Sequence, residues 1–579
     1  MWFNIKKCKK VYFIILVVAN LLGTIVFAQS PPQTWCNPLN LNYRFSYDGL
    51  GYREAADPVI HLYKGNYFLY ASKSGGYWYS DDLLNWKFRP SKTLPTEDYA
   101  PTVETINDTV FFIASKGARN IYYSTNPKED NWRIYREQFP LWVTDPALFK
   151  DDDGKVYFYY GCSNVDPIMG VELNVKRHFD TIGTPVVLIK HNIKEHGWEE
   201  HGEENNDGKN GWNEGSWMNK YNGRYYLQYA SPGTEFKGYG DGVYVSDKPL
   251  GPFIYMPSSP FSFKPGGYIN GAGHGCTFKD KYGNYWHVAT MTISVRHMFE
   301  RRIGLFPAFF DKNGALHCNT AFGDYPSAMP HRKMDFEKEN IFTGWMLLSY
   351  NKPVAASSSL SEHTPELAVN EDVHDWWSAQ TGNPGEWLQV NLQSLCTVNA
   401  LQVNFADQDA MFKAQASFTP YQFVVESSVD GKNWKLLVDK SKNTIDVTHD
   451  YIVLPKPVKT KFLRITNKSV PAGKFSLSGF RVFGKGVSNK PSSVQSVVVT
   501  RNATDNRRCT LTWAPAAQAT GYVIYFGNEP GKLFHSIMVY SKNNLNVSGL
   551  NKDIPYYFRV DAFNENGIAE GKQTTSSTQ

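Results

Sequence analysis

The sequence predicts an all-β chain: a five-bladed β-propeller followed by two β-sandwiches. Three observations predict it. A short hairpin motif recurs five times between Asp57 and Met291. No stretch of that region keeps the 3.6-residue period of a long amphipathic helix. Beyond residue 330 the pattern changes to alternating strands with polar turns, and it changes again after the Ser/Pro/Lys-rich "VSNKPSSV".

The chain begins with Lys6, Lys7, Lys9 and Lys10, then the apolar run "VYFIILVVANLLGTIVFA". The short run ends in small residues, so residues 1–28 read as a secretory signal and not as a membrane span. The expectation is an exported protein, periplasmic or extracellular, with no integral membrane segment after cleavage. The formal charge of +5 includes those four lysines, and residues 1–28 hold no acid or arginine, so the remainder sits near +1. Without a concentrated basic face, nucleic acid is not an expected partner. Six cysteines remain, scattered and without metal-knuckle spacing. They indicate no disulfide framework, although one or two bridges are compatible with an oxidising compartment.

The repeats are "DPVIHLYKGNYFLYAS" from Asp57, "APTVETINDTVFFIAS" from Ala100, "DPALFKDDDGKVYFYYG" from Asp145, "EGSWMNKYNGRYYLQYAS" from Glu214 and "GHGCTFKDKYGNYWHVATM" from Gly273. Each joins a short apolar strand to an aromatic strand through a Gly/Asn/Asp turn, and such residues tolerate the positive φ of a tight hairpin. The spacings of 43, 45, 69 and 59 residues suit small antiparallel sheets set around an axis. In that arrangement the innermost strand of each blade lines the axis, and residues at its upstream end point into one funnel.

Asp57, Asp145 and Glu214 then stand at equivalent positions of blades 1, 3 and 4. Blade 2 offers Ala100-Pro101, with Glu104 further in, and blade 5 offers His274. Converging carboxylates suit glycosidic hydrolysis. One protonated carboxyl gives its proton to the departing oxygen, and one ionised carboxylate activates water or attacks. A third negative charge raises the acid's pKa. Glu214 has the longer side chain, suited to reaching a leaving group. The aromatic content of 15% fits both strand packing and stacking against sugar faces.

The motifs "ADP…GNYFLYAS", "TDPALFKDDDGKVYFYYG" and "NEGSWMNKYNGRYYLQYA" resemble glycoside hydrolase family 43 over roughly residues 35–330. The resemblance implies an inverting glycosidase acting on arabinose-, xylose- or galactose-containing polysaccharides. It implies Asp57 as general base, Asp145 as the residue that modulates and orients the acid, and Glu214 as general acid. It also implies a substrate-contacting arginine in "FERRIGLFPAFF". Arg301 is the better match; a one-residue slip would choose Arg302, on the opposite face. His274 matches an axial histidine near a calcium ion or ordered waters, though oxygen ligands suit that ion better. No cofactor is expected for the chemistry. Tyr99 stands where many relatives carry a tryptophan before Ala-Pro, and Gly215-Ser216 where many have Gly-Pro. Both departures bear on the shape of the sugar pocket. A non-catalytic sugar-binding or adhesion protein on a degenerate propeller is the alternative; retention of all three acids favours the enzyme.

The insert at residues 191–212 carries His191, His196, His201, Trp198 and Trp212. Its Gly/Asn content predicts a solvated rim or lid in which Trp198 or Trp212 contacts sugar, and its histidine spacing fits no familiar metal set. "KDDDGK" reads as a hairpin turn. Residues 345–485 resemble discoidin-like (coagulation factor C-type) jelly rolls, which implies carbohydrate binding and a structural calcium, matched roughly by the Leu367–Asp372 loop. Residues 491–579 resemble a fibronectin type III sandwich, with Trp513 in its core and Tyr556 or Tyr557 as a corner tyrosine; the domain reads as a spacer or interaction module.

Overall fold

The computed structural model describes residues 33–115, 119–413, 419–572 and 574–575. The expected export signal, residues 1–28, lies outside them. Helix is confined, among the described residues, to four short 3₁₀ turns, and no helix is long and apolar enough to cross a membrane.

Five four-stranded antiparallel sheets follow one another, each in plain sequence order from its first strand. Blade 1 comprises Ala56–Tyr63, Asn66–Ser72, Gly76–Ser80 and Lys87–Pro90. Blade 2 comprises Tyr99–Ile106, Thr109–Ser115, Ile121–Ser124 and Arg133–Arg136. Blade 3 comprises Ala147–Lys150, Val156–Tyr160, Ile168–Asn174 and Asp180–Ile189. Blade 4 comprises Glu214–Tyr221, Arg224–Ser231, Gly240–Ser246 and Ile254–Tyr255. Blade 5 comprises Asn270–Lys279, Tyr285–Thr292, Arg301–Phe310 and Leu316–Cys318. Each first strand touches the first strand of the next blade, and the fifth touches the first, so the ring closes around an axis. The Asn222-Gly223 turn has φ of 49° and 79°, as a two-residue type I′ hairpin demands.

Much of the aromatic content is spent between blades. Tyr70 and Tyr77 of blade 1 meet Trp132 of blade 2 edge-on, and the indole donates to the Tyr77 hydroxyl at 3.1 Å. The "KDDDGK" segment is a turn, as expected, with the Gly154 N–H donating to Asp151 O.

A sandwich built on the long strands Trp387–Phe405 and His449–Ser469 follows. Bulges within these strands, around Cys396 and Ala400, interrupt the ladder and let one strand bend across the core. The last domain has two sheets, one of Val497–Arg501, Cys509–Trp513 and Asn544–Val547, the other centred on Gly521–Gly527 and Tyr557–Asn564. Trp513 is in its core. The corner tyrosine is Tyr556, whose buried hydroxyl accepts the Asn551 N–H at 3.0 Å. All six cysteines of residues 33–579 are free thiols.

Both sandwiches are bolted to the propeller. Arg53 is buried between Asp407 (2.8 Å) and Asp446 (2.6 Å) of the first sandwich. Arg481 of that sandwich pairs with Glu371 at 2.9 Å and donates to Asp324 O at 2.6 Å. Phe263, from the blade 4–5 connection, is part of the last domain's core. The insert at 191–212 corrects the sequence reading in part: residues 196–200 are buried as a docking surface, while 203–204 and 206–210 are exposed. Gly197 N–H donates to Leu550 O, and Lys552 N–H to Glu195 O. Buried Glu200 takes salt bridges from Arg507 (3.0 Å) and Arg508 (3.4 Å). Glycine and asparagine content marked the segment as irregular; burial came from a domain some 300 residues downstream.

Candidate active site

One backbone device builds the site. In blades 1, 2, 4 and 5 the inner strand carries an extra residue near its upstream end: Ala56 pairs Ser72 while Val59 pairs Tyr70, and Tyr99, Glu214 and Gly273 begin the same slip. The residue after each slip starts has positive φ: Asp57 (51°), Ala100 (44°), Gly215 (62°) and His274 (41°), with Asp145 (45°) alike in blade 3. Such a bulge re-aims the side chain that a regular strand would send sideways. Aspartate visits this conformation more readily than most residues, and glycine does so freely. The strand N–H groups are held in turn. Asp57 donates to Thr290 Oγ1, Ala100 to Ser72 Oγ and Asp145 to Ser115 Oγ, all at 2.8 Å. Each hydroxyl lies at or near the downstream end of the second strand of the preceding blade, Ser72 and Ser115 as its last residue and Thr290 two residues before the end. Its sequence trace is the recurrent Ala-Ser or Ala-Thr that closes the repeats.

This register corrects the expected equivalence of the three acids. Gly215, not Glu214, occupies the position of Asp57 and Asp145; Glu214 aligns with Ala56 and Tyr99. A Cβ on Gly215 would lie 2.7 Å from the His274 ring, so glycine leaves room for the imidazole while Glu214 reaches in from the neighbouring position.

His274 is the hub. Its Nδ1 lies 3.4 Å from Asp57 Oδ1, 3.7 Å from Asp145 Oδ2 and 3.9 Å from Glu214 Oε1. Burial disfavours its charge, but Asp57, Asp145 and Glu214 raise its pKa overall. Its own N–H and that of Gly275 both donate to buried Asp241.

Asp57 is buried, which opposes ionisation, yet its pKa is lowered by Arg301, His274 and the Ser72 hydroxyl. Arg301 lies 3.1 Å from Asp57 and 2.7 Å from Glu54. Arg302 faces away, donating to His449 Nε2 at 2.9 Å and Arg53 O at 2.6 Å; strand alternation separates the two. Asp145 behaves oppositely. Burial pushes its pKa up to about 7, against His274 and helped by Glu214 and Asp57. Glu214 receives Trp212 Nε1 at 2.8 Å, Cys162 Sγ at 3.3 Å and the Tyr239 hydroxyl. Ligand atoms of Asp145, Cys162 and Glu214 all lie within 4.8 Å of one another.

Glu54, Cys162 and Tyr239 were not singled out from the sequence, because each arrives from a segment without a motif. Glu104 is not in this cluster; its oxygens accept the N–H groups of Thr105 and Lys150. Trp212 sits at the acid, whereas Trp198 is fully buried with its indole on the Tyr255 hydroxyl, so the expected sugar contact by Trp198 is not available. His191 bonds Asn164 O, His196 stacks on Tyr255, and His201 faces Trp212 and Phe236; they form no shared site.

Calcium does not fit the positions the resemblance suggested. At His274, the atom that faces the three acids is an imidazole nitrogen, and a hard cation prefers oxygen donors. In the Leu367–Asp372 loop, Glu371 is held by Arg481, and Asp372 by His374. No step is therefore routed through a metal.

A closed ring of five sheets with three carboxylates around one imidazole defines a propeller with an acidic axial pocket. Residues 52–316 match the family model of Glycosyl hydrolases family 43, residues 353–478 the F5/8 type C domain, and residues 492–578 the Fibronectin type III domain. Over residues 52–316, most of its propeller, the chain is similar to Glycosyl hydrolases family 43. It is 26% identical over 242 residues to a β-D-galactofuranosidase of Aspergillus niger, covering 35% of this chain and 64% of that protein. It is 30% identical over 129 residues to a β-xylosidase of Xylanibacter ruminicola, covering 19% and 39%. It is 24% identical over 258 residues to a xylosidase/arabinosidase of Bacteroides ovatus, covering 35% and 76%. The chain thus spans less than two thirds of the length of the first two relatives.

Proposed function

We propose that this protein is an exported glycoside hydrolase that removes terminal arabinofuranosyl, xylosyl or related galactosyl residues from polysaccharides by an inverting general acid/base mechanism. The observation that carries the reading is the unequal treatment of neighbouring carboxyls. Arg301 and His274 favour the ionised form of Asp57, while burial beside other acids favours the protonated form of Asp145. Asp57 is the base that takes a proton from water. Glu214 is the acid that protonates the leaving oxygen. Asp145, adjoining Glu214 and giving an oxygen to the Gly215 N–H at 3.2 Å, fixes the acid's position. The Tyr239 hydroxyl serves both states of Glu214, as donor to the carboxylate or acceptor from the acid. Arg301 orients Asp57 and contacts substrate.

The nearest oxygens of Asp57 and Glu214 are no farther apart than the sum of their distances to His274 Nδ1, 3.4 and 3.9 Å. That ceiling reaches only the lower part of the about 6.5–9.5 Å of inverting enzymes and also spans the about 5–5.5 Å of retaining ones, so the inverting assignment follows the family resemblance. No cofactor enters the chemistry. The names of the matched relatives support pentose or galactofuranose substrates.

The test is release of sugar from arabinosyl, xylosyl and galactosyl aryl glycosides by wild type, Asp57→Asn and Glu214→Gln. Loss of at least about a hundredfold in each variant is expected, since positioned proton transfer contributes about 10²–10⁴. Hydrolysis unchanged by both substitutions would overturn the site assignment. Polysaccharide binding without turnover on any substrate would assign the protein to non-catalytic recognition. The anomer formed first decides between inversion and retention.

A further inference from the structure

We propose that the open groove where the propeller meets both sandwiches binds the polysaccharide chain beyond the residue that is cleaved; this rests on the hydrolase reading above. The groove encloses about 1290 Å³, more than the roughly 300–1,000 Å³ typical of small-molecule pockets. All three domains line it: Lys237, Asn270 and the insert's Glu203 from the propeller, Asp372 from the first sandwich, Asn544 and Asn546 from the last.

Its position connects it to the acids. Asn270 opens the inner strand of blade 5, four residues upstream of His274. Lys237 lies two residues before Tyr239, whose hydroxyl reaches Glu214. Both belong to the end of the propeller where the carboxylates converge, because Ser231 pairs Gly240 and Glu214 pairs Ala230 at that end of blade 4. A chain leaving the pocket on the blade 4–5 side therefore enters the groove.

Its chemistry selects the ligand. Asn544 and Asn546 are two apart on one exposed strand, hence on the same face. The Asn546 oxygen accepts from Thr510 Oγ1 at 2.9 Å, which holds that amide in place, and side-chain amides offer NH₂ donors and a carbonyl acceptor side by side, the complement of neighbouring hydroxyls on a sugar ring. Lys237 pairs with Glu204, and the lining's Lys237, Arg501, Arg508 and Lys542 are matched in number by Glu203, Glu204, Glu371 and Asp372, so the groove favours an uncharged chain over a polyanion. Its walls set these polar groups beside apolar and aromatic side chains such as Tyr350, Met538 and Tyr540, a mixture that suits the hydroxyls and the partly apolar ring faces of a glycan.

The experiment uses the full chain carrying Glu214→Gln, with soluble arabinoxylan and arabinogalactan as probes and binding measured by affinity electrophoresis. Asn544→Ala with Asn546→Ala, and separately Asn270→Ala, address two walls; Val498→Ala, at an exposed position of the same last domain outside the groove, is the control. The asparagine variants should lose about tenfold in retention, the equivalent of about two modest hydrogen bonds, and the control none. In the active background their KM for polymer should rise by a similar factor, with kcat/KM on aryl glycosides within about twofold. Unchanged polymer binding overturns the proposal, as does an equal loss on aryl glycosides, which would mark these residues as supports of the fold. Should wild type hydrolyse no glycoside while the variants still weaken polymer binding, the hydrolase reading falls and the groove stands.

Discussion

Replacing Arg301 by methionine tests the electrostatics of the site most directly. The guanidinium lies 3.1 Å from Asp57 Oδ1, and both groups are 4% exposed. At an effective dielectric of about 20, one pair of unit charges at that distance attracts by about 5 kcal/mol. Part of this is recovered in the variant. Glu54, also paired with Arg301, loses its partner, and burial already raises its pKa, so it takes up a proton and relieves Asp57 of one negative neighbour. We therefore expect the pKa of Asp57 to rise on loss of Arg301, the largest influence that lowers it. The sign follows from the role: the base acts ionised, so the acid limb of kcat/KM against pH moves to higher pH. Loss of a substrate contact lowers the whole profile evenly, so the position of the limb separates charge from binding. Arg301→Lys keeps the positive charge and should hold the limb in place while the plateau falls. The assay is kcat/KM on a chromogenic glycoside from pH 4 to 9. An Arg301→Met profile with its acid limb where wild type has it would refute the reasoning.

Two further outcomes follow from the geometry. Gly215→Ala places a methyl 2.7 Å from His274 at a φ of +62°, a conformation that costs about 1–2 kcal/mol for a residue with a side chain; we expect kcat to fall at least about tenfold as the imidazole is displaced from the acids, and an alanine enzyme with wild-type kcat would refute the packing argument. Asp407→Ala leaves Arg53 buried with Asp446 as its remaining carboxylate partner among the two, at a cost of about 3 kcal/mol or more; calorimetry should show a lower unfolding temperature, and an unchanged transition would mean this ion group adds nothing to the interface.

The pairing Arg53–Asp407 also gives the accessory domains a meaning that no local pattern holds. Arg53 adjoins Glu54, which holds Arg301, which holds Asp57. On the other side Arg507 holds Glu200 in the insert, whose far end carries Trp212 to Glu214. One sandwich thus braces Asp57 and the other braces the segment leading to Glu214.

The sequence alone determined the all-β architecture, the five repeats and the order of the domains, and it pointed to the three carboxylates that the ring gathers around His274, because hairpin turns and strand alternation are local and repeat at a readable interval. It also marked Arg301 over Arg302, as one face of a strand against the other. Tertiary structure decided the rest. Only the shared bulge shows that Glu214 stands one residue off the register of Asp57 and Asp145. Only closure of the ring brings Cys162, Tyr239 and Glu54 to the carboxylates. Only the last domain turns part of a polar insert into a buried seam. These features depend on which distant surfaces meet, and burial, which sets both the charge of Asp145 and the fate of Trp198, is a property of that meeting and not of any stretch of chain.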